Sequence, residues 1–216
     1  MGVTSQSDPD QSIQPSRIGL LGGTFDPIHM GHLLIAEDVR EALDLDVVVF
    51  IPAGRPWLKA DQTVTEPEHR MAMVELAVSS NPHFQVSDIE VRRPGLTYTV
   101  DTLQQLHQEY GPNTKKFLIL GMDSLNELAR WRSPERLFDL CVVVGVSRPG
   151  QEDIDLDNLE SLAEGASDKV VLVSGPSVGI SGTDIRDRVA HGESIKYRVP
   201  EFVESYILDH GLYTRQ

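Results

Sequence analysis

The feature that most restricts this chain is an alternation. Short, near-continuous apolar runs are separated by stretches whose apolar residues recur at helical spacing. Ile18–Leu21 is a first apolar run, broken by Gly22-Gly23. Leu33, Ala36, Val39 and Leu43 then recur at the interval of one helix face, and Val47–Pro52 is apolar throughout. That is a strand–helix–strand unit of the length a right-handed crossover requires. The pattern goes on with a helix over 67–80, an extended segment at 84–91 and a helix over 99–110. Strands follow at Phe117–Leu120, 140–146 and 169–173, then helices over 183–190 and 200–210. Such strands need cover on both faces, so the pattern predicts an α/β fold. It is a doubly wound parallel sheet with helices on both faces and a small C-terminal helical part. Ligands of such sheets bind beyond the carboxyl ends of the strands, where the strand order reverses. The strand-to-helix loops are therefore where function is expected.

Composition narrows the classes. At 216 residues and 24.0 kDa the chain suits one domain, placed at 17–216. Residues 1–16, rich in Ser, Gln, Asp and Pro without periodicity, read as a disordered tail. Cys141 lies inside an apolar run and reads as a small buried hydrophobe, which excludes a disulfide scaffold. No apolar run approaches the ~18–20 residues of a membrane span, and no signal-peptide core precedes Arg17, so a cytoplasmic protein is expected. The net charge of −14 argues against a non-specific nucleic-acid binder and against a membrane-surface protein. Nine of the acids, however, lie in 1–16 and 151–168, which contain no base. The remaining nineteen bases and twenty-four acids leave −5, and that part of the chain suits an anionic ligand. Leu156, Leu159 and Leu162 predict a short surface helix in the acidic stretch.

The first strand-to-helix loop reads Gly22-Gly23-Thr24-Phe25-Asp26-Pro27-Ile28-His29-Met30-Gly31-His32. It lacks the Gly-Lys-Ser/Thr of a P-loop and the G-x-G-x-x-G of a dinucleotide fingerprint. It offers two glycines for close backbone approach, then two histidines three apart at a helix start. Unpaired N–H groups and the positive end of the helix dipole suit a phosphate there, and the histidines add donors. The alternative is a tight turn with a histidine N-cap. Far downstream, Ile180-Ser181-Gly182-Thr183-Asp184-Ile185-Arg186 offers a capping hydroxyl at Ser181 or Thr183 and a planar cation one turn in. Alone, that is an ordinary capped helix.

Together the two segments resemble the paired signatures of the nucleotidylyltransferase superfamily, whose H-x-G-H histidines contact a nucleoside triphosphate. Gly182 departs from the serine usual there. The rest of the chain, from Arg17 to Tyr213, resembles the nicotinate-nucleotide adenylyltransferase family. The matching segments are Pro56-Trp57-Leu58-Lys59, Thr97-Tyr98-Thr99-Val100-Asp101-Thr102-Leu103, Gly121-Met122-Asp123-Ser124-Leu125 with Trp131, Val144 to Gly150, and Gly211-Leu212-Tyr213. Leu58 replaces the family's histidine.

The resemblance implies a Rossmann-like sheet and in-line attack of nicotinic acid mononucleotide on the α-phosphorus of ATP, with release of pyrophosphate and Mg²⁺ carried on the nucleotide. It places His32, His29 and Arg186 in catalysis. For ATP it implies Gly22, Gly23, Thr24, Phe25, His29, His32, Gly121, Asp123, Arg148, Ser181, Thr183, Ile185 and Arg186. For the second substrate it implies Lys59, Thr97, Tyr98, Thr99, Asp123 and Trp131. Each has a plainer alternative: Lys59 as a solvated loop lysine, Trp131 and Tyr98 as packing residues, Asp123 as a helix cap. The expected partners are ATP and nicotinic acid mononucleotide, without nucleic acid or membrane; a homo-oligomer is compatible with the sequence. The alternatives are a related transferase using nicotinamide mononucleotide or phosphopantetheine, and a non-catalytic nucleotide-binding module.

Overall fold

The computed structural model describes residues 14–56, 64–147 and 156–215. Six strands form one sheet: β1 (Arg17–Gly23), β2 (Val47–Pro52), β4 (Phe84–Val86), β6 (Lys115–Gly121), β7 (Val142–Ser147) and β8 (Val170–Ser174). Every pairing is parallel, in the order β4-β2-β1-β6-β7-β8. Two-residue strands β3 (Arg55–Pro56) and β5 (Leu96–Thr97) pair separately.

Alternation within the strands divides the core. Ile18, Leu20, Val47, Val49, Ile51, Leu118, Leu120 and Val143 belong to one cluster. It is covered by α3 (Thr99–Tyr110), α4 (Met122–Asn126), α5 (Leu137–Leu140) and α6 (Leu156–Leu162). Leu21, Val48, Phe50, Phe117, Ile119, Val144, Val146 and Val173 belong to the other. Its cover is α1 (Met30–Ala42), α2 (Pro67–Val78), α7 (Gly182–Ala190) and α8 (Glu201–Asp209). Apolar side chains on both faces explain why the strands read as continuous apolar runs.

β2 and β4 lie to one side of β1 and β6 to β8 to the other, so the order reverses between β1 and β6. The carboxyl ends of these two strands open the crevice in which such folds bind ligands.

The expected elements form, with two adjustments. The extended segment expected at 84–91 ends at Val86, because β4 is an edge strand paired with β2 for three residues and the chain then turns. The strand expected at 140–146 starts at Val142, since Cys141 N–H still bonds to the Leu137 carbonyl and closes α5. The tail expected at 1–16 falls outside the described residues up to residue 13. Ser16 is tied to Asp46, whose Oδ2 accepts from its N–H at 2.7 Å and its Oγ at 3.0 Å. Among the described residues no helix is long and apolar enough to cross a membrane.

Candidate active site

The loop leaving β1 turns sharply at Phe25, whose φ is +50° and whose ring is buried. His29 caps α1 and His32 occupies its first turn. The His32 Nδ1 accepts from the His29 backbone N–H at 3.2 Å, one half of a reciprocal capping box. With Nδ1 used as acceptor, the neutral His32 ring carries its proton on Nε2, as a donor. The two imidazoles stack with centroids 3.7 Å apart, and the Phe25 ring meets His32 edge-on at 5.0 Å. Both histidines line a polar cleft of about 220 Å³, closed on the far side by Gly182, Thr183 and Arg186 of α7.

Asp26 joins these segments. Its carbonyl accepts from Arg186 Nη1 at 2.6 Å, and Arg186 Nη2 donates to Thr183 Oγ1 at 3.3 Å. Its carboxylate accepts from the Tyr213 hydroxyl at 2.8 Å and from the Thr65 N–H at 3.3 Å. Burial, reinforced by Asp26, raises the Tyr213 phenol well above its ordinary value, so it stays a neutral donor. Ser181 caps α7 by accepting from Asp184 N–H at 3.1 Å. At Gly182 a Cβ would stand 2.9 Å from the Asp26 carbonyl oxygen, so the glycine lets α7 close against the loop.

Arg70 was missed in the sequence. It is 1 % exposed and donates to three carbonyls: Thr65 at 2.8 Å, Thr24 at 2.8 Å and Gly54 at 3.1 Å. These belong to the histidine loop, the turn after β2 and the entry to α2. Burial lowers its pKa, and Asp26 opposes this. The available signal was its place on the apolar face of α2, with Met73, Val74, Ala77 and Val78.

A second cavity of about 300 Å³ adjoins the first and shares Thr24 with it. Gly22, Thr97, Thr99, Ser124 and Trp131 line it, above Leu20, Leu118 and Leu120. At Gly22 a Cβ would meet nothing within 4 Å, so that backbone faces open space. Trp131 Nε1 is buried without a hydrogen-bond partner among the described residues. Glu90 and Thr102, also unforeseen, complete the wall.

The other expected residues are placed differently. Tyr98 caps α3 and packs on the α3-side core, with Arg132 4.6 Å over its ring. Asp123 is exposed in the first turn of α4 and Gly121 caps that helix; neither lines the two cavities. Ile185 is fully buried under α7. Lys59, Leu58 and Arg148 lie outside the described residues. Among those described, no group of three or more His, Cys, Asp or Glu is placed to hold a metal ion.

A parallel sheet with a histidine-bearing loop at its switch point defines a nucleotidylyltransferase-like protein, and residues 20–188 match the cytidylyltransferase-like family. A probable nicotinate-nucleotide adenylyltransferase of Roseiflexus sp. (strain RS-1) is 51% identical over 196 residues, covering 91% of this chain and 97% of that one. Its counterpart in Dehalococcoides mccartyi (strain ATCC BAA-2266 / KCTC 15142 / 195) is 44% identical over 200 residues, covering 93% and 98%. The chain belongs to the nicotinate-nucleotide adenylyltransferase family. Among solved structures, Plasmodium falciparum nicotinic acid mononucleotide adenylyltransferase complexed with NaAD superposes with a TM-score of 0.74 at 22% identity, over 92% of this chain and 97% of that one.

Proposed function

We propose that this protein joins nicotinic acid mononucleotide to the adenylate of ATP, giving nicotinic acid adenine dinucleotide and pyrophosphate, a step of NAD biosynthesis. The observation that carries the reading is the pair of cavities meeting at Thr24. One is polar, bounded by two histidines and a guanidinium at a helix start, and suits the triphosphate. The other has a tryptophan, threonine hydroxyls and an apolar floor, and suits a flat heterocycle.

A phosphate oxygen of the mononucleotide attacks the α-phosphorus of ATP in line. The new P–O bond forms as the bond from the α-phosphorus to the bridging oxygen breaks, and pyrophosphate leaves with that electron pair. The protein's part is positioning and charge neutralisation. His32 Nε2–H serves the α-phosphate. His29, Arg186 and the backbone at Thr24-Phe25 serve the phosphates beyond, with Ser181, Thr183 and Arg148 at the nucleotide. Trp131 and Thr97 with Thr99 hold the pyridine ring, and Lys59 its phosphate. A divalent ion such as Mg²⁺, bound to the nucleotide rather than to residues of this chain, would screen the two polyanions from each other.

The test is turnover with Mg-ATP and, separately, nicotinic acid mononucleotide, nicotinamide mononucleotide and phosphopantetheine, with products identified by mass. Dinucleotide from the nicotinate substrate is expected. His32→Ala is expected to lower kcat by on the order of 10²–10³, the scale of one lost transition-state donor. Near-normal turnover in that variant removes His32 from the mechanism.

A further inference from the structure

Of the described residues lining the second cavity, Glu90 is the one with an ionisable side chain. It sits in the turn after β4 and is 9 % exposed. Its backbone carbonyl packs on Gly54 so tightly that a Cβ there would stand 2.2 Å from the oxygen, which holds the main chain in place. Glu90 Oε1 accepts from Thr102 Oγ1 at 2.7 Å, and that hydroxyl accepts from Arg93 Nη1 at 2.9 Å. Arg93 is the charged group acting on the carboxyl among the described residues, and it does so across that hydroxyl. From β5, α3 and the turn after β2 the facing residues are Thr97, Thr102 and Gly54, none of which titrates. The buried Thr97 hydroxyl makes no hydrogen bond of good geometry, although it lies close enough to favour the ionised carboxyl.

We propose that Glu90 is a specificity-determining acid of the ring pocket, which admits the carboxylate of nicotinate by sharing one proton with it. This rests on the acceptor reading above. A cavity of about 300 Å³ is roughly 8 Å across, so a ring carboxylate held in it is within strong electrostatic reach of Glu90. Two carboxylates in so poorly solvated a space do not both ionise; the pair keeps a proton and titrates as a unit. Burial already favours the protonated form of Glu90. Both rings carry the same pyridinium charge, but a carboxamide sets no second carboxylate beside Glu90, so the nicotinamide substrate needs no such proton. The preference between the two acceptors is then a function of pH, set by this one side chain.

The experiment compares wild type and Glu90→Gln with both mononucleotides from about pH 6 to about pH 9. Nicotinamide mononucleotide corrects for titration of the shared phosphate. In wild type the ratio of kcat/KM, nicotinate over nicotinamide, is expected to fall about tenfold per pH unit above the ionisation of Glu90, and in the variant to stay flat. Calorimetry at a pH above the ionisation of Glu90, in buffers of different ionisation enthalpy, is expected to show proton uptake when the nicotinate substrate binds wild type. That measurement needs no variant. A pH-independent ratio in wild type, the same slope in Glu90→Gln, or binding without proton uptake overturns the proposal and leaves the adenylyltransferase reading intact. Absence of any dinucleotide from wild type overturns that reading, and this proposal with it.

Discussion

Arg70 carries a charge into the interior with three carbonyl oxygens, and no carboxylate among the described residues, against its guanidinium. Its fork meets three chain segments at once, a geometry that a lysine ammonium on a single stem does not reproduce. Arg70→Met removes all three donors and leaves buried acceptors unsatisfied, at about 1–3 kcal/mol each where water does not replace the donor. The expected loss is several kcal/mol by urea unfolding. Arg70→Lys keeps the charge and recovers part of that stability, yet frees Thr24 or Gly54, so KM for ATP rises while the fold holds. A variant with normal stability and normal KM contradicts the positioning role. Both the histidines and Arg70 are single residues, but only the histidines stand in a motif readable from the chain. Arg70 stands out only once its helix face is known to be buried.

At the scale of elements, α7 shows how two distant segments build one site. Ser181 caps it, and Ser181→Ala is expected to cost about 1 kcal/mol of stability in denaturant titrations. Gly182 matters more for function. A Cβ there crowds the Asp26 carbonyl, so Gly182→Ala is expected to lift the helix start, lengthen the Arg186–Asp26 bond and raise KM for ATP. Its stability cost is that of local overpacking, about 1–3 kcal/mol. Read as a motif, Gly182 is a missing serine; read in space, it is the point where α7 and the histidine loop touch. The edge strand β4 teaches the same lesson. Its residues favour extension to 91, but pairing with β2 stops at Phe50 and Val86, and the following turn carries Glu90 into the cavity.

For the whole molecule, one sheet shared by both cores makes ligand binding and global stability linked quantities. Mg-ATP at a hundredfold excess over its Kd is expected to stabilise the fold by about 2.7 kcal/mol. In a chain of this size that is a rise in Tm of about 5–10 °C, readable by calorimetry. His32→Ala should reduce that rise at fixed ATP. Stability also carries the titration of Glu90. Its carboxyl is raised from the ordinary 4.5, chiefly by burial. The folded state therefore holds this proton more tightly than the unfolded chain. The stability so contributed is complete below 4.5 and is lost as pH rises through the raised value. Glu90→Gln removes that loss, so its unfolding midpoint should gain on wild type between acidic and neutral pH; parallel curves would exclude it.

What the sequence determined by itself is what local chemistry dictates. Apolar runs on both faces of each strand demanded a covered parallel sheet. The helix starts at His29 and Ser181 carried their own caps, while the spacing of the histidine loop left a phosphate site and a capped turn both open, and the family resemblance favoured the first. What only the tertiary structure decided depends on which surfaces meet. The sheet order places β1 beside β6 and so sets the crevice. The fold carries Tyr213 back to Asp26 across most of the chain and buries Arg70 under three loops. It also turns Glu90, one acid among thirty-three in the sequence, toward the pocket. Periodicity records whether a face is apolar; it holds no record of what that face is packed against, and a charge changes meaning only when water is removed from around it.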